Sequence, residues 1–443
     1  MPDFAPAFSE TQRWFAQSRL FGVSGAAGIV NMNSSTLPAR VSAGHPMVPV
    51  GAITLSTFLV VTSEMMPVGV LTPMAESLGV TAGGAGATLT VTGAIAAVVS
   101  TFAPALAGRV DRRTILIAFM LVLAVANALT AVAPTYAVVM LGRVLLGVAM
   151  GMVWGLAAGL GGRIAPPSRA ALATTLIFSG VSIASVLGVP LGTYVGGVLG
   201  WRSAFWLLAA LSVVAAIGLR LAVPALPADS AAGFRGIFSV LRLPHVVAGL
   251  VITALLVVGH FTGYTFIRPV LEFGVGAAEG GIAAALLVFG IAGVVGNFAV
   301  GGVAALRPKR AVVGTATALA LGVAGVGALS VLGAGGFGHG TGQAPASITF
   351  VAIAIWGLGY GGVSVATQRW IATAEPGRVE ASAALWAGMF NASIAVGAVL
   401  GGAAFDGFGA VGTLAVALGI AATGVLVAAL TSPRALTSPR ALR

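Results

Sequence analysis

A succession of apolar runs, each near twenty residues and separated by short polar connections, leaves this 443-residue chain few folds to choose from. Hydrocarbon offers no water to backbone N–H and C=O groups, so a spanning segment must satisfy them itself, as a helix or within a closed barrel. Continuous apolar runs of about 20 residues select the helix. Only 7% of the residues are charged and 58% are hydrophobic, against about 25% charged in ordinary soluble domains. Two soluble globular domains are therefore disfavoured, and an all-α, polytopic membrane protein is expected. The 64 glycines lie among Leu, Val and Ile, where small residues let helices approach closely in lipid.

Twelve spans are expected, at about 49–72, 86–107, 114–132, 136–158, 171–196, 203–222, 246–268, 281–304, 311–331, 348–370, 382–402 and 410–430. They group as two six-helix bundles, 45–222 and 246–430, joined by a more polar linker, 223–245, that contains Asp229, Arg235 and Arg242. Residues 1–44 read as a disordered tail, or as the product of a misassigned start with Met47 the true one; residues 431–443 read as a second tail.

Basic residues collect in the even-numbered connections: Arg109, Arg112 and Arg113; Arg163 and Arg169; Arg220, Arg235 and Arg242; Arg307, Lys309 and Arg310; Arg378. The odd connections hold Glu76, Glu272, Glu279 and Asp406, with Arg202 and Arg268 as basic exceptions. By the positive-inside rule both termini face the cytoplasm of a plasma (inner) membrane. The basic turns after the second span of each half, Gly108–Arg113 and Gly301–Arg310, suggest two repeated halves, an architecture of transporters that rock about a central site.

The net charge of +11 is dispersed in these short clusters, so topology explains it better than a nucleic-acid partner. Cysteine is absent and the four histidines are far apart in sequence, which excludes thiol chemistry and gives no metal-ligand cluster. No phosphate-binding Gly-rich loop marks an ATP-driven pump, and no nucleophile–base set marks an enzyme. A receptor or scaffold without transport is disfavoured by the repeated halves and by Glu64. No cofactor is expected; the partners are a small-molecule substrate and membrane lipid, and the working unit is expected to be a monomer.

Glu64 is the acidic side chain inside an apolar run, Ile53 to Gly69. A carboxylate at membrane depth is costly and marks a relay, transport or pairing role, with helix anchoring by hydrogen bonds as the alternative. Arg143 is the second embedded charge. It either pairs with Glu64, holds water and carbonyls near it, or serves packing. His260, Tyr264, Trp356, Gln368, Trp386 and Asn391 are candidate cavity residues: rings stack on planar cargo, and His, Gln and Asn bond a base edge or ribose. A core or interfacial place is the alternative for each. For Arg268, near a helix end, a lipid-headgroup or loop contact competes with a pocket role.

The segment Leu106–Thr114, with Gly108, Asp111, Arg112 and Arg113, resembles the loop between helices two and three of the major facilitator superfamily, in shortened form. Gly142-Arg143 with Gly147 and Gly151 is similar to its helix-four motif, and Gly188-Val189-Pro190-Leu191-Gly192 to its helix-five antiporter motif. The resemblance covers about residues 48–430, and phrases such as Tyr264–Val270 lean toward the proton-coupled drug-exporter branch, which includes chloramphenicol, arabinose-type and purine ribonucleoside exporters. It implies a proton site at Glu64 assisted by Arg143, and a gate at Asp111, Arg112 and Arg113. It also implies a hinge or seal at Gly188, Pro190 and Gly192. Proton-coupled efflux of small organic molecules is expected, purine ribonucleosides first, with chloramphenicol or multidrug efflux and then a proton-coupled uptake symporter as alternatives. Protons are the coupling ion.

Overall fold

A computed structural model describes residues 47–166, 169–227, 241–334, 346–374 and 379–432. The two tails and most of the linker, with Asp229 and Arg235, lie outside the described residues, as does Arg378. Every regular element described is helical, as backbone self-satisfaction in lipid demands. In order, α1 is Met47–Leu78, α2 Ala82–Ala107, α3 Arg112–Val132 and α4 Tyr136–Ile164. Next, α5 comprises Ala170–Ile183, a π-helical turn at Ala184–Gly188 and Val189–Leu199; α6 is Trp201–Ala222. The second half holds α7 Pro244–Tyr264, α8 Glu279–Leu306, α9 Pro308–Ala334, α10 Ala346–Ala374 and α11 Val379–Leu430.

Eleven of the described helices are long and apolar enough to cross a membrane. The 52 residues of α11 would reach about 78 Å as one rod, far beyond a hydrocarbon core of roughly 30 Å. Gly409 resolves this: at φ 66°, ψ −161° it breaks the helix, a conformation open to a residue without Cβ. The arms 379–408 and 410–430 are the expected eleventh and twelfth spans. Side chains cap the starts of two helices. Thr81 accepts the Gly84 N–H at α2, and Asp111 accepts the Thr114 N–H at α3.

The helices form two bundles, α1–α6 and α7–α11. Glycine sets the spacing within and between them. A methyl group on Gly361 of α10 would collide with the Gly293 backbone of α8, and one on Gly322 of α9 with the Trp356 backbone, so α10 is wedged between α8 and α9. Between the bundles, a methyl group on Gly93 of α2 would stand 2.9 Å from the Asn391 carbonyl of α11. Such contacts supply the dispersion that replaces a hydrophobic driving force in lipid.

Helix alternation gives the molecule a basic end, with Arg109, Arg112, Arg113, Arg163, Arg307 and Arg310, and an acidic end, with Glu76, Glu272 and Asp406. The two basic exceptions at the acidic end both serve backbone carbonyls. Arg202 donates to Ala133 at the end of α3 (3.0 Å), and Arg268 donates to Gly69 of α1 (2.8 Å).

Candidate transport site

Two prolines shape α1. Pro67 and Pro73 lie inside the helix and have no N–H, so the carbonyls four residues earlier, Ser63 and Gly69, lose their helical donors. Each carbonyl is met by a buried arginine. Arg143 Nη1 of α4 donates to Ser63 O at 3.0 Å, and Arg268 Nη1, just after α7, donates to Gly69 O at 2.8 Å. Asn127 Nδ2 of α3 donates to Ser63 Oγ at 2.9 Å. Val70 departs from helical geometry (φ −122°, ψ 21°), so α1 bends between the two prolines.

Glu64 follows the first of these carbonyls and is 2% exposed. Arg143 is fully buried, with its guanidinium carbon 4.9 Å from the centre of the Phe205 ring. No ion pair within 4.0 Å joins Glu64 to Arg143. Glu64 Oε1 and Arg143 Nε and Nη2 have no hydrogen-bond partner among the described residues. Arg143 thus holds a backbone carbonyl in the turn that carries Glu64.

The helix-five residues seat α1. A methyl group on Gly188 would strike Thr62, and one on Gly192 would strike the end of Met66, so α5 lies against α1 on either side of Glu64. Pro190 lies in the first turn of the helical segment that follows the π-helical turn. At the basic end, the partners of Asp111 among the described residues lie at α3 and just after α6. Its Oδ1 caps α3 and its Oδ2 accepts the Leu226 N–H at 2.6 Å, while the Arg112 N–H donates to Leu226 O at 2.9 Å. Arg112 Nη1 donates to the Gly108 and Val110 carbonyls, and Arg113 Nη2 donates to Arg220 O in the last turn of α6. Arg163 also bonds the carbonyl of Pro227. This constellation ties the α2–α3 turn to the segment that leaves α6.

Three of the six cavity candidates meet. His260 and Tyr264 of α7 stack at 4.7 Å between ring centres, and Trp356 of α10 crosses His260 edge-on at 5.9 Å. Trp356 Nε1 donates to His260 Nδ1 at 3.0 Å, so in the neutral ring the proton sits on Nε2, which is buried and unpartnered. Phe289 and Tyr360 complete the cluster, Tyr360 lying flat on His260 at 3.5 Å. Sequence reasoning missed both; the signal was present, because Tyr360 follows Trp356 by one helical turn, as Tyr264 follows His260. Trp386 and Asn391 stand apart on α11. Trp386 donates to Thr367 Oγ1 at 3.0 Å, and Asn391 Nδ2 to Ala387 O at 2.9 Å. Gln368 does not join them, since it is exposed beside the exposed Arg369.

A family model described as Major Facilitator Superfamily matches residues 53–372. The transcription regulatory protein OpdE of Pseudomonas aeruginosa is 33% identical over 359 residues, 80% of this chain and 86% of that one. The purine ribonucleoside efflux pump NepI of Salmonella paratyphi B is 32% identical over 378 residues, 85% of this chain and 92% of that one. Among solved structures, a bacterial homologue of the human lysosomal transporter Spinster, inward-facing and unoccupied, superposes with a TM-score of 0.68 at 15% identity. It covers 88% of this chain and 96% of that one, a likeness of fold alone.

Proposed function

Because the chain belongs to the Major Facilitator Superfamily and is a membrane carrier of small molecules rather than an enzyme, we propose that it exports purine ribonucleosides in exchange for protons. Glu64 is the proton site. The observation that carries this reading is its burial beside Arg143 without an ion pair. An ionised carboxyl with no partner is costly at this depth, whereas a neutral acid tolerates it. Arg143, held on the Ser63 carbonyl next to Glu64 in the chain, is the charge that stands by when water enters. Exchange of that proton between the two membrane faces then biases the bundles between their two arrangements.

The cargo site is the aromatic cluster of His260, Tyr264 and Trp356, with Trp386 and Asn391 of α11 as further contacts. Stacked rings suit a planar base, and the His260 Nε2–H suits an acceptor on its edge. Similarity to NepI over most of both chains favours ribonucleosides; chloramphenicol or multidrug efflux is the alternative. Asp111, Arg112 and Arg113 gate the basic end through the linker, and Gly188, Pro190 and Gly192 form the seal beside Glu64. The chain works as a monomer in the bacterial inner membrane with its basic end and both termini in the cytoplasm.

The test is uptake into inverted vesicles under an imposed proton gradient, comparing inosine, guanosine, adenosine, chloramphenicol and a cationic dye. Gradient-dependent uptake of the nucleosides is expected. Uptake of the drug or dye with none of the nucleosides would overturn the cargo, and uptake indifferent to the gradient would overturn the coupling.

A further inference from the structure

We propose that Arg268 is a positioning residue of the transport cycle, latching the two bundles together at the acidic end by binding the carbonyl that Pro73 opens on α1. The inference rests on the transport reading above. Arg268 is 5% exposed and belongs to the second bundle, in the turn Ile267–Pro269 after α7. Its Nη1 reaches across to Gly69 O at 2.8 Å. One turn further along α1, Thr72 Oγ1 donates to Glu272 Oε2 at 2.8 Å, and that same oxygen lies 4.0 Å from Arg268 Nε. A third tie lies at the same end. Asp406 of α11 accepts from the Thr81 hydroxyl at 2.7 Å and from the Gly83 N–H at 2.9 Å, both at the start of α2. Apart from the Arg268–Glu272 contact, which lies within the second bundle, these bonds join the first bundle to the second.

Separating the bundles at this end must break them, and the Arg268 bond is built to break reversibly. In an ordinary helix the Gly69 carbonyl would be engaged by the amide of residue 73, and an arginine could gain only its second lone pair. Proline at 73 removes that amide, so the carbonyl is presented outward at the bend marked by Val70. When Arg268 withdraws, α1 loses no helical hydrogen bond, and water entering the opened cleft replaces the guanidinium. The backbone near Arg268 is braced meanwhile. Phe266 fills the space left by Gly86 of α2 and Gly401 of α11, where a methyl group would lie 2.5 Å and 2.8 Å from its ring.

The chain contains no cysteine, so a spin-label pair can be introduced alone, at Glu76→Cys and Ala278→Cys, both exposed and on opposite bundles at the acidic end. Distances are measured by pulsed dipolar spectroscopy on the full chain in lipid nanodiscs. Arg268→Met is expected to raise the ratio of the long-distance to the short-distance population about tenfold, the scale of one charge-assisted hydrogen bond. Pro73→Ala is expected to shift it the same way, because the restored amide competes for Gly69 O. The double variant should move no further than either single one. Unchanged distances in both single variants overturn the latch. If Arg268→Met does not fold, Pro73→Ala, which restores a helical bond, decides alone. The measurement needs no cargo, so failure of the nucleoside reading would appear separately, as absent exchange in the parent chain.

Discussion

Arg143 donates to the backbone carbonyl of Ser63, the one Pro67 leaves without its helical donor, and so stands beside Glu64 without pairing with it. The proline thus determines where the buried guanidinium rests. Had residue 67 carried an amide, the Ser63 carbonyl would be engaged within the helix, and the carboxyl of Glu64 would be the strongest acceptor left nearby. An ion pair would fix the carboxyl in its charged form. A carbonyl partner leaves it able to trade a proton.

Glu64→Gln is expected to insert and melt as the parent does, because Oε1 of the parent has no hydrogen-bond partner to lose. It is expected to abolish exchange driven by a proton gradient while still binding cargo. Gradient-driven exchange at the parent rate in sealed vesicles would remove Glu64 from the coupling step.

Arg143→Met leaves the Ser63 carbonyl buried without a donor, a loss of about 1–3 kcal/mol. Adding Pro67→Ala returns a helical amide to that carbonyl. The double variant should recover most of the lost thermal stability, measured by melting in detergent, yet remain defective in proton-driven exchange. Recovery of both together would mean that Arg143 acts only through the helix.

Much of the fold was legible in the sequence because lipid imposes one solution on each apolar run. The spans agree with the helices to within several residues, and α1 and α4 run longer since helices continue past the apolar window into the polar ends. Glu64 and Arg143 stood out for the same reason: charge inside an apolar run needs a cause. The partners were harder to see. That Ser63 and Gly69 are the acceptors follows from counting four residues back from Pro67 and Pro73, but which arginine answers each depends on how helices far apart in sequence are placed. Arg268 shows the gap, since as a helix-end residue it suggested lipid headgroups or the pocket, and packing of the second bundle on α1 buries it instead. Gln368 shows the reverse: its type suited a cavity and its helical face put it outside.

Glycine substitutions should separate rigid from yielding contacts. Gly361→Ala drives a methyl group into the Gly293 backbone, which cannot move without shifting α8. Gly192→Ala meets the flexible end of Met66. The first should cost more than about 3 kcal/mol and the second less than about 1.5 kcal/mol, from the behaviour of overpacked cores and the adaptability of methionine. Equal melting temperatures for the two would contradict the wedged position of α10.

Asp111→Ala removes the cap of α3 and the acceptor for Leu226 N–H together. A lost N-cap alone is worth about 1 kcal/mol. Asp111→Asn keeps one acceptor oxygen and should fall between parent and Ala in melting temperature. If the tie to the linker also gates, the Ala variant should slow exchange more than its lost stability accounts for, as seen by comparing rates well below the melting transition.

The aromatic cluster predicts a graded series at Tyr360. Its ring lies on His260 at 3.5 Å, so Tyr360→Phe retains the stack and Tyr360→Leu removes it. Stacked aromatic pairs contribute about 0.5–1.5 kcal/mol beyond their buried area, so Leu should weaken guanosine binding by roughly tenfold while Phe stays near the parent. Trp356→Phe keeps a ring but takes away the N–H that holds His260 Nδ1, leaving the imidazole without a fixed tautomer. It should therefore weaken binding more than Tyr360→Phe does, although each exchange retains an aromatic ring. Equilibrium binding of radiolabelled guanosine to the purified protein reads all three. Parent affinity in both Trp356→Phe and Tyr360→Leu, with folding intact, would assign the cluster to packing of the second bundle and move the cargo toward Trp386 and Asn391.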